Sequence, residues 1–247
     1  MMAHPLVLAA LLAVPQDSGP PAAQNPCVTC HQGLPEPVAA AHSFAEWRGS
    51  AHGGVVTCDK CHDGDTTATD PAAAHRGVHR SQDYRSKVYA TRIPATCGAC
   101  HQQQLGFFTE SRHYAQLTTS RRGPSCVTCH GSMAIRVLSA DEMAATCSPC
   151  HGTVPGAPPE APAEARRLLT VLQQADSALP ATEARAGQAT VARRAAATRF
   201  VRQAREAALE ARRAWHAFDL TLMEQSVSLA AAGVRRADSV LAGRSRR

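Results

Sequence analysis

The chain has 247 residues, with 26 Lys or Arg and 20 Asp or Glu, so its formal net charge is +6. That length suffices for one large or two small domains. Aromatic residues are only 4% of the chain, and glycine and proline number 16 each, which is poor material for an ordinary side-chain core. Residues 1–159 balance 11 basic against 11 acidic side chains, whereas residues 160–247 hold 15 Arg and 9 acids. Those interspersed acids, with few aromatics between them, argue against nucleic-acid binding.

Residues 1–26 are predicted to be an export signal followed by a spacer. Leu6–Val14 is an apolar run too short to span a bilayer, and a proline-rich stretch follows from Pro15 to Pro26. The first basic residue is Arg48, so the usual positive start of a signal is missing. No later apolar run reaches about 18 residues, so we expect no transmembrane anchor in the mature chain.

Five copies of Cys-x-x-Cys-His use all ten cysteines of the chain. They stand at Cys27–His31, Cys58–His62, Cys97–His101, Cys126–His130 and Cys147–His151. This pattern is the attachment signature of c-type haem, in which both thiols form thioethers to the haem vinyls and the histidine ligates the iron. A disulfide framework gives no reason for the histidine, and zinc ribbons pair two Cys-x-x-Cys knuckles without needing one.

The sequence therefore predicts five covalently bound haem c groups. The predicted attachment residues are Cys27, Cys30, Cys58, Cys61, Cys97, Cys100, Cys126, Cys129, Cys147 and Cys150. The predicted proximal iron ligands are His31, His62, His101, His130 and His151.

Further histidines are candidates for the sixth coordination position of each iron. A second imidazole gives low-spin iron, which changes oxidation state with little rearrangement and suits electron transfer. The predicted distal candidates are His42, His52, His75, His113 and His216, with His79 in reserve. Met133 and Met143 are alternative ligands, although methionine more often fills gaps in a core.

An internal repeat places an aromatic residue, a serine and a histidine at fixed offsets, at Trp47–His52 before the second motif and at Phe108–His113 before the fourth. We expect each copy to form one helical turn, with the histidine about 140° round from the aromatic residue. On the same reasoning His42 shares a helical face with His52, and His75 shares one with His79.

The amino-acid composition of the chain changes after the last motif. Residues 152–163 are a linker rich in glycine and proline, and residues 164–247 are rich in alanine and arginine with apolar residues at three-four spacing. This pattern predicts two or three long amphipathic helices, packed on each other or on the haem segment. We expect Pro180 to end the first helix, with turns near 186–187 and 231–233. His216 lies on an apolar stripe, as either a hydrogen-bonded core histidine or a haem ligand.

The blocks Trp47–His62, His75–His101 and Phe108–Gly131 resemble the multihaem cytochromes c that include the nitrifier tetrahaem cytochrome, hydroxylamine oxidoreductase and pentahaem nitrite reductase. The resemblance implies closely stacked haems that form a conducting chain. It also favours His75 over His79 as an axial ligand and supports His216.

The chain departs from two members of that group. All five motifs end in His, whereas pentahaem nitrite reductase carries Lys at its active haem. Hydroxylamine oxidoreductase needs a tyrosine crosslinked to its catalytic haem, and nothing marks Tyr84, Tyr89 or Tyr114 for that role.

The expected fold is mainly α with extensive loops and little or no β-structure. Haems form the core of residues 27–151, and long helices follow from residue 164.

The expected function is electron transfer in a respiratory chain. We expect the protein to be periplasmic and peripheral to the membrane. Its expected partners are redox donor and acceptor proteins that include a quinol-linked membrane complex. The alternative is an oxidoreductase that converts a small nitrogen or sulfur compound at one haem with an open site. The Arg-rich helices are a third candidate function, as a module that assembles the cytochrome into a larger complex.

Overall fold

A computed structural model describes residues 25–32 and 44–243 of the chain. Those residues form twelve helices and no β-strand, which confirms the mainly helical prediction. In this part of the chain, none of the helices combines the length and apolar character that crossing a bilayer requires. The predicted signal through residue 24 and the candidate ligand His42 lie outside the described residues.

Nine short helices carry or connect the five cysteine motifs. They are α1 (Pro26–His31), α2 (Phe44–Arg48), α3 (Cys58–His62), α4 (Pro71–Ala74), α5 (Ile93–Gly98), α6 (Gln102–Thr109), α7 (Arg112–Ser120), α8 (Cys126–His130) and α9 (Ala140–His151). Four motifs lie wholly within a helix, and the third straddles the junction between α5 and α6. The Asn25 side chain begins α1 by accepting a hydrogen bond from the Cys27 amide at 2.9 Å, as an N-cap does.

The motif half of the chain buries few apolar side chains. Of 25 buried hydrophobic residues in the described part of the chain, seven lie between residues 25 and 151 and the other 18 lie in the C-terminal helices. Burial of apolar surface is the main favourable term in folding. This half therefore has little side-chain core of its own, as its composition predicts.

The aromatic-serine-histidine repeat forms a serine turn rather than one helical turn. In the first copy α2 ends at Arg48, so Trp47 and His52 do not share a helix. The Ser50 hydroxyl donates to the Trp47 carbonyl at 2.8 Å and accepts from the His52 amide at 3.1 Å. His52 therefore cannot share a helical face with His42.

The second copy repeats this turn between two helices. Ser111 donates to the Phe108 carbonyl at 2.7 Å and caps α7 by accepting from the Tyr114 amide at 3.0 Å. The prediction of one helix was wrong because the serine side chain takes over backbone hydrogen bonds, which ends the helix. In each copy, the serine turn lies between a buried aromatic residue and the histidine.

The three long helices are α10 (Ala161–Gln188), α11 (Val191–Ala217) and α12 (Leu220–Leu241). They run up, down and up, joined by two-residue turns at 189–190 and 218–219, and each packs against the other two. Their shared core is a seam of Leu, Val and Ala side chains, which lets the helix axes approach closely.

Two predicted breaks in these helices were wrong. Pro180 lies inside α10, and α12 is continuous through 231–233. A proline inside a helix costs about 3 kcal/mol, but Leu179 and Thr182 on either side are buried against the other helices and hold α10 together. The turn comes just after 186–187, and α10 begins at Ala161, inside the predicted linker.

His75 and His79 also fail to share a helix, because α4 ends at Ala74. Asp70 caps that short helix by accepting from the Ala73 amide at 2.9 Å, and Pro71 occupies its first position. His75 is the C-terminal cap, while His79 lies in the following loop, 3.7 Å from the Asp83 carboxylate.

The long helices pack directly onto the motif half. Helix α10 packs against α9, and α11 packs against α6. Met143 of α9 is buried in the bundle core, which gives it the gap-filling role, while Met133 packs beside Val28 and Trp47. The Gln173 amide donates to the Leu138 carbonyl at 3.1 Å across the same junction.

We predict that Gly233→Leu destabilises the bundle and that Gly187→Ala does not. A Cβ on Gly233 would lie 2.8 Å from the Ala204 Cβ and 3.0 Å from the Phe200 carbonyl, so a larger side chain must force α11 and α12 apart, at about 1–3 kcal/mol. A Cβ on Gly187 meets nothing within 4 Å, and alanine there gains up to about 1 kcal/mol of helix propensity. Denaturant unfolding measures both; equal effects would refute the described packing.

Candidate haem-binding site

The five cysteine motifs lie beside one another in chain order. Helix α3 packs against α5, α5 against α8, and α8 against α9. The thiols of successive motifs are close enough to affect each other's ionisation, in the pairs Cys27 with Cys58, Cys61 with Cys97, Cys97 with Cys126, and Cys129 with Cys147. The motifs therefore form a continuous row from the first to the fifth.

All ten cysteines lie in the described residues, and no disulfide joins any two of them there. Burial raises the pKa of Cys58 and of Cys129 to about 11, so both stay protonated at neutral pH. A nucleophilic cysteine needs surroundings that lower its pKa, which Cys58 and Cys129 do not have. Within the described ranges, no group of three His, Cys, Asp or Glu side chains converges as a metal site made of protein ligands alone would require.

In the described part of the chain, four motif histidines each face a predicted distal histidine. The ring centres are 5.6 Å apart for His31 and His75, 6.0 Å for His52 and His101, 5.9 Å for His113 and His151, and 6.4 Å for His130 and His216. The angles between the ring planes are 39°, 21°, 78° and 13° in the same order.

These separations fit a metal ion between the two rings. A metal–imidazole bond is about 2 Å long, so two rings that ligate one ion from opposite sides have centres about 6 Å apart. Rings stacked directly on each other would be closer, and unrelated histidines would not recur at this one spacing. The residues present thus fit a haem iron held by two imidazoles.

Hydrogen bonds to backbone carbonyls orient four of these rings. In each ring the Nδ1 atom is hydrogen-bonded to a carbonyl oxygen, which leaves Nε2 available as the metal ligand. The pairs are His75 with Pro71 at 2.7 Å, His130 with Arg136 at 3.0 Å, His151 with Pro158 at 2.8 Å, and His216 with Arg212 at 2.7 Å. Such support fixes the tautomer and the ring direction before any metal binds.

His113 is held by an aromatic ring instead. Its Nδ1 is buried with no hydrogen-bond partner, and its ring lies 4.0 Å from the Phe218 ring at 78°. Burial, with smaller effects of His151 and Arg112, lowers the pKa of His113 to about 4. The ring is therefore neutral at pH 7, and the neutral imidazole is the form that binds a metal.

Phe218 was not predicted as part of the site. It caps α11 in the left-handed conformation, at φ 58°, and touches Trp215 as well as His113. The turn between α11 and α12 thus supplies the ring that holds His113, while the last turn of α11 supplies His216. Burial lowers the pKa of His216, although its hydrogen bond to the Arg212 carbonyl acts the other way. The only sequence signal for Phe218 was its place two residues after the candidate ligand His216.

The remaining motif histidine is His62 of the second motif, which ends α3. The candidates left for its iron are His42, which lies outside the described residues, and His79, which is engaged with Asp83. The choice between them stays a prediction.

No protein family, curated protein or solved structure that was compared with the chain matches it. The resemblance to multihaem cytochromes c therefore depends on the quoted motifs alone.

We predict that His216→Ala converts one haem of the purified holoprotein from low-spin to high-spin, because it removes the ring opposite His130. Leu209→Ala is the matched control, since Leu209 lies on the same helix and is 59% exposed. Electronic absorption and electron paramagnetic resonance spectra measure the change. An unchanged spectrum in His216→Ala, or the same change in both variants, would rule out this pairing.

We predict that Ser111→Ala lowers the free energy of unfolding by about 1 kcal/mol, as the loss of an N-cap does. It should also increase the high-spin fraction of one haem, because the turn that aims His113 is lost. Ser120→Ala is the control on the same helix, where an exposed hydroxyl donates only to the Gln116 carbonyl and side chain. If both variants behave alike in denaturant titrations and spectra, Ser111 does not position His113.

Proposed function

We propose that the protein is an exported pentahaem c-type cytochrome that carries electrons along closely spaced, mostly bis-histidine haems. The observation that carries the proposal is the set of four histidine pairs, each about 6 Å apart and each with one member in a Cys-x-x-Cys-His motif. When bound, haem supplies an iron that alternates between the ferric and ferrous states.

The residues of each motif have different roles in binding one haem. The two thiols anchor the macrocycle and the histidine that follows ligates its iron. The opposed histidine would occupy the sixth position and would keep small molecules from the metal. Saturated coordination at both faces favours electron transfer over catalysis, since little rearrangement accompanies a change in oxidation state.

The order of the motifs supports a single conducting row. Because the motifs are neighbours in the order 1 to 5, haems attached to them would also be neighbours in that order. Electrons would then enter and leave at the first and fifth motifs, which are the ends of the row. The natural partners are redox donor and acceptor proteins, including a quinol-linked membrane complex.

The angles between the ring planes give a spectroscopic test of this function. When the two imidazole planes are nearly parallel, they split the energies of the iron orbitals that π-bond with them, and the low-spin signal is rhombic. When the planes are perpendicular, those orbitals stay nearly equal in energy, and the low-spin signal is highly anisotropic. We predict rhombic signals from His130/His216 and His52/His101, at 13° and 21°, and an anisotropic one from His113/His151, at 78°.

Electron paramagnetic resonance of the oxidised holoprotein measures these signals, with and without nitrite, hydroxylamine or sulfite. A carrier predicts low-spin signals that none of the three additions changes. A high-spin ferric signal that shifts with one of them would contradict the carrier and would favour the alternative, a redox enzyme with one open haem.

A further inference from the structure

The arginines of the C-terminal helices fall into two groups. Of the twelve in residues 160–243, seven lie within 4 Å of a carboxylate. The other five have no carboxylate partner in the described chain, and all five are exposed. These five, named here the basic tip, are Arg193, Arg194, Arg199, Arg235 and Arg236.

The basic tip lies at the free end of the bundle. A Cβ on Gly243 would be 3.1 Å from the Arg193 guanidinium, so the end of α12 lies beside the start of α11. The opposite end of the bundle packs on α6 and α9. Since α11 has 27 residues, about 40 Å separate its two ends.

The charge at this end is large and one-sided. Residues 183–206 and 228–243 contain eight arginines and three acids. The three acids pair with three of the arginines, Glu183 with Arg205, Glu206 with Arg202 and Asp238 with Arg185, which leaves a net charge of +5 on the basic tip. A charged face built only for solubility would mix the two signs, as the rest of the bundle does.

We infer that the basic tip binds the anionic phosphate headgroups of a membrane surface. Guanidinium groups form bidentate hydrogen bonds with phosphate, and every basic side chain here is arginine. Val191, 83% exposed at the same end, can enter the headgroup boundary.

Binding in this way orients the molecule. The cysteine motifs would lie about 40 Å from the lipid, at the far end of α11. They would therefore be presented to redox partner proteins rather than to the bilayer itself. The inference depends on the charge of the helices and not on the proposed electron transfer.

The test is co-sedimentation of the holoprotein with phosphatidylglycerol-containing vesicles and with phosphatidylcholine vesicles. We expect binding to the anionic vesicles only, weakening steeply with salt. Arg193→Gln/Arg194→Gln/Arg235→Gln should weaken it roughly tenfold or more. The charge-matched control is Arg166→Gln/Arg167→Gln/Arg213→Gln, which removes three ion-paired arginines near the other end and should leave binding nearly unchanged.

Lysine at the three tip positions should restore most of the binding, which separates a loss of charge from misfolding. The inference is overturned if both vesicle types bind alike, if neither binds, or if the two glutamine variants lose affinity equally. Binding to a soluble acidic protein in place of anionic vesicles would also overturn it. Haem absorbance of the unbound protein reports separately on the proposed cytochrome, so the two proposals can fail independently.

Discussion

Opposed imidazole rings, joined by a metal, would set the architecture of the motif half of this chain. Each of the four described pairs joins a motif histidine to one that is far away in sequence and separated from it by another motif. His31 with His75 and His52 with His101 both span the second motif, while His113 with His151 spans the fourth. A metal bound between the rings would crosslink these segments, which replaces the long-range apolar contacts that the segment lacks.

The end of α11 and the turn after it also contact these histidines. His216 brings α11 to the fourth motif. Phe218 in the following turn packs on His113, which pairs with His151 of the fifth motif. The bundle has its own apolar core of Leu, Val and Ala side chains, so it can form a rigid support. Two of the four described pairs thus depend on a region whose sequence contains no cysteine.

Local rules in the sequence predicted part of this arrangement. The five motifs identified all the thiols and half of each histidine pair, and the helical spacing identified the bundle. Asp70 and Pro71 begin a helix by ordinary capping chemistry, and the carbonyls of Pro71 and Arg212 each lie four residues before the histidine they orient, as in any helix.

What could not be predicted depends on tertiary contacts. The carbonyls of Arg136 and Pro158 orient His130 and His151 from loops six and seven residues further along, a spacing that no regular element gives. Pro180 continues a helix because burial on both sides outweighs its local cost. Phe218 reaches His113 across more than a hundred residues, so no pattern within the chain connects the two.

Intact-mass spectrometry of the mature protein from its native host tests the central claim most directly. The account predicts a mass equal to the polypeptide plus five covalently attached haems, with no thiol left to alkylate. Ten alkylatable thiols, disulfides or bound zinc, with no added haem mass, would contradict it.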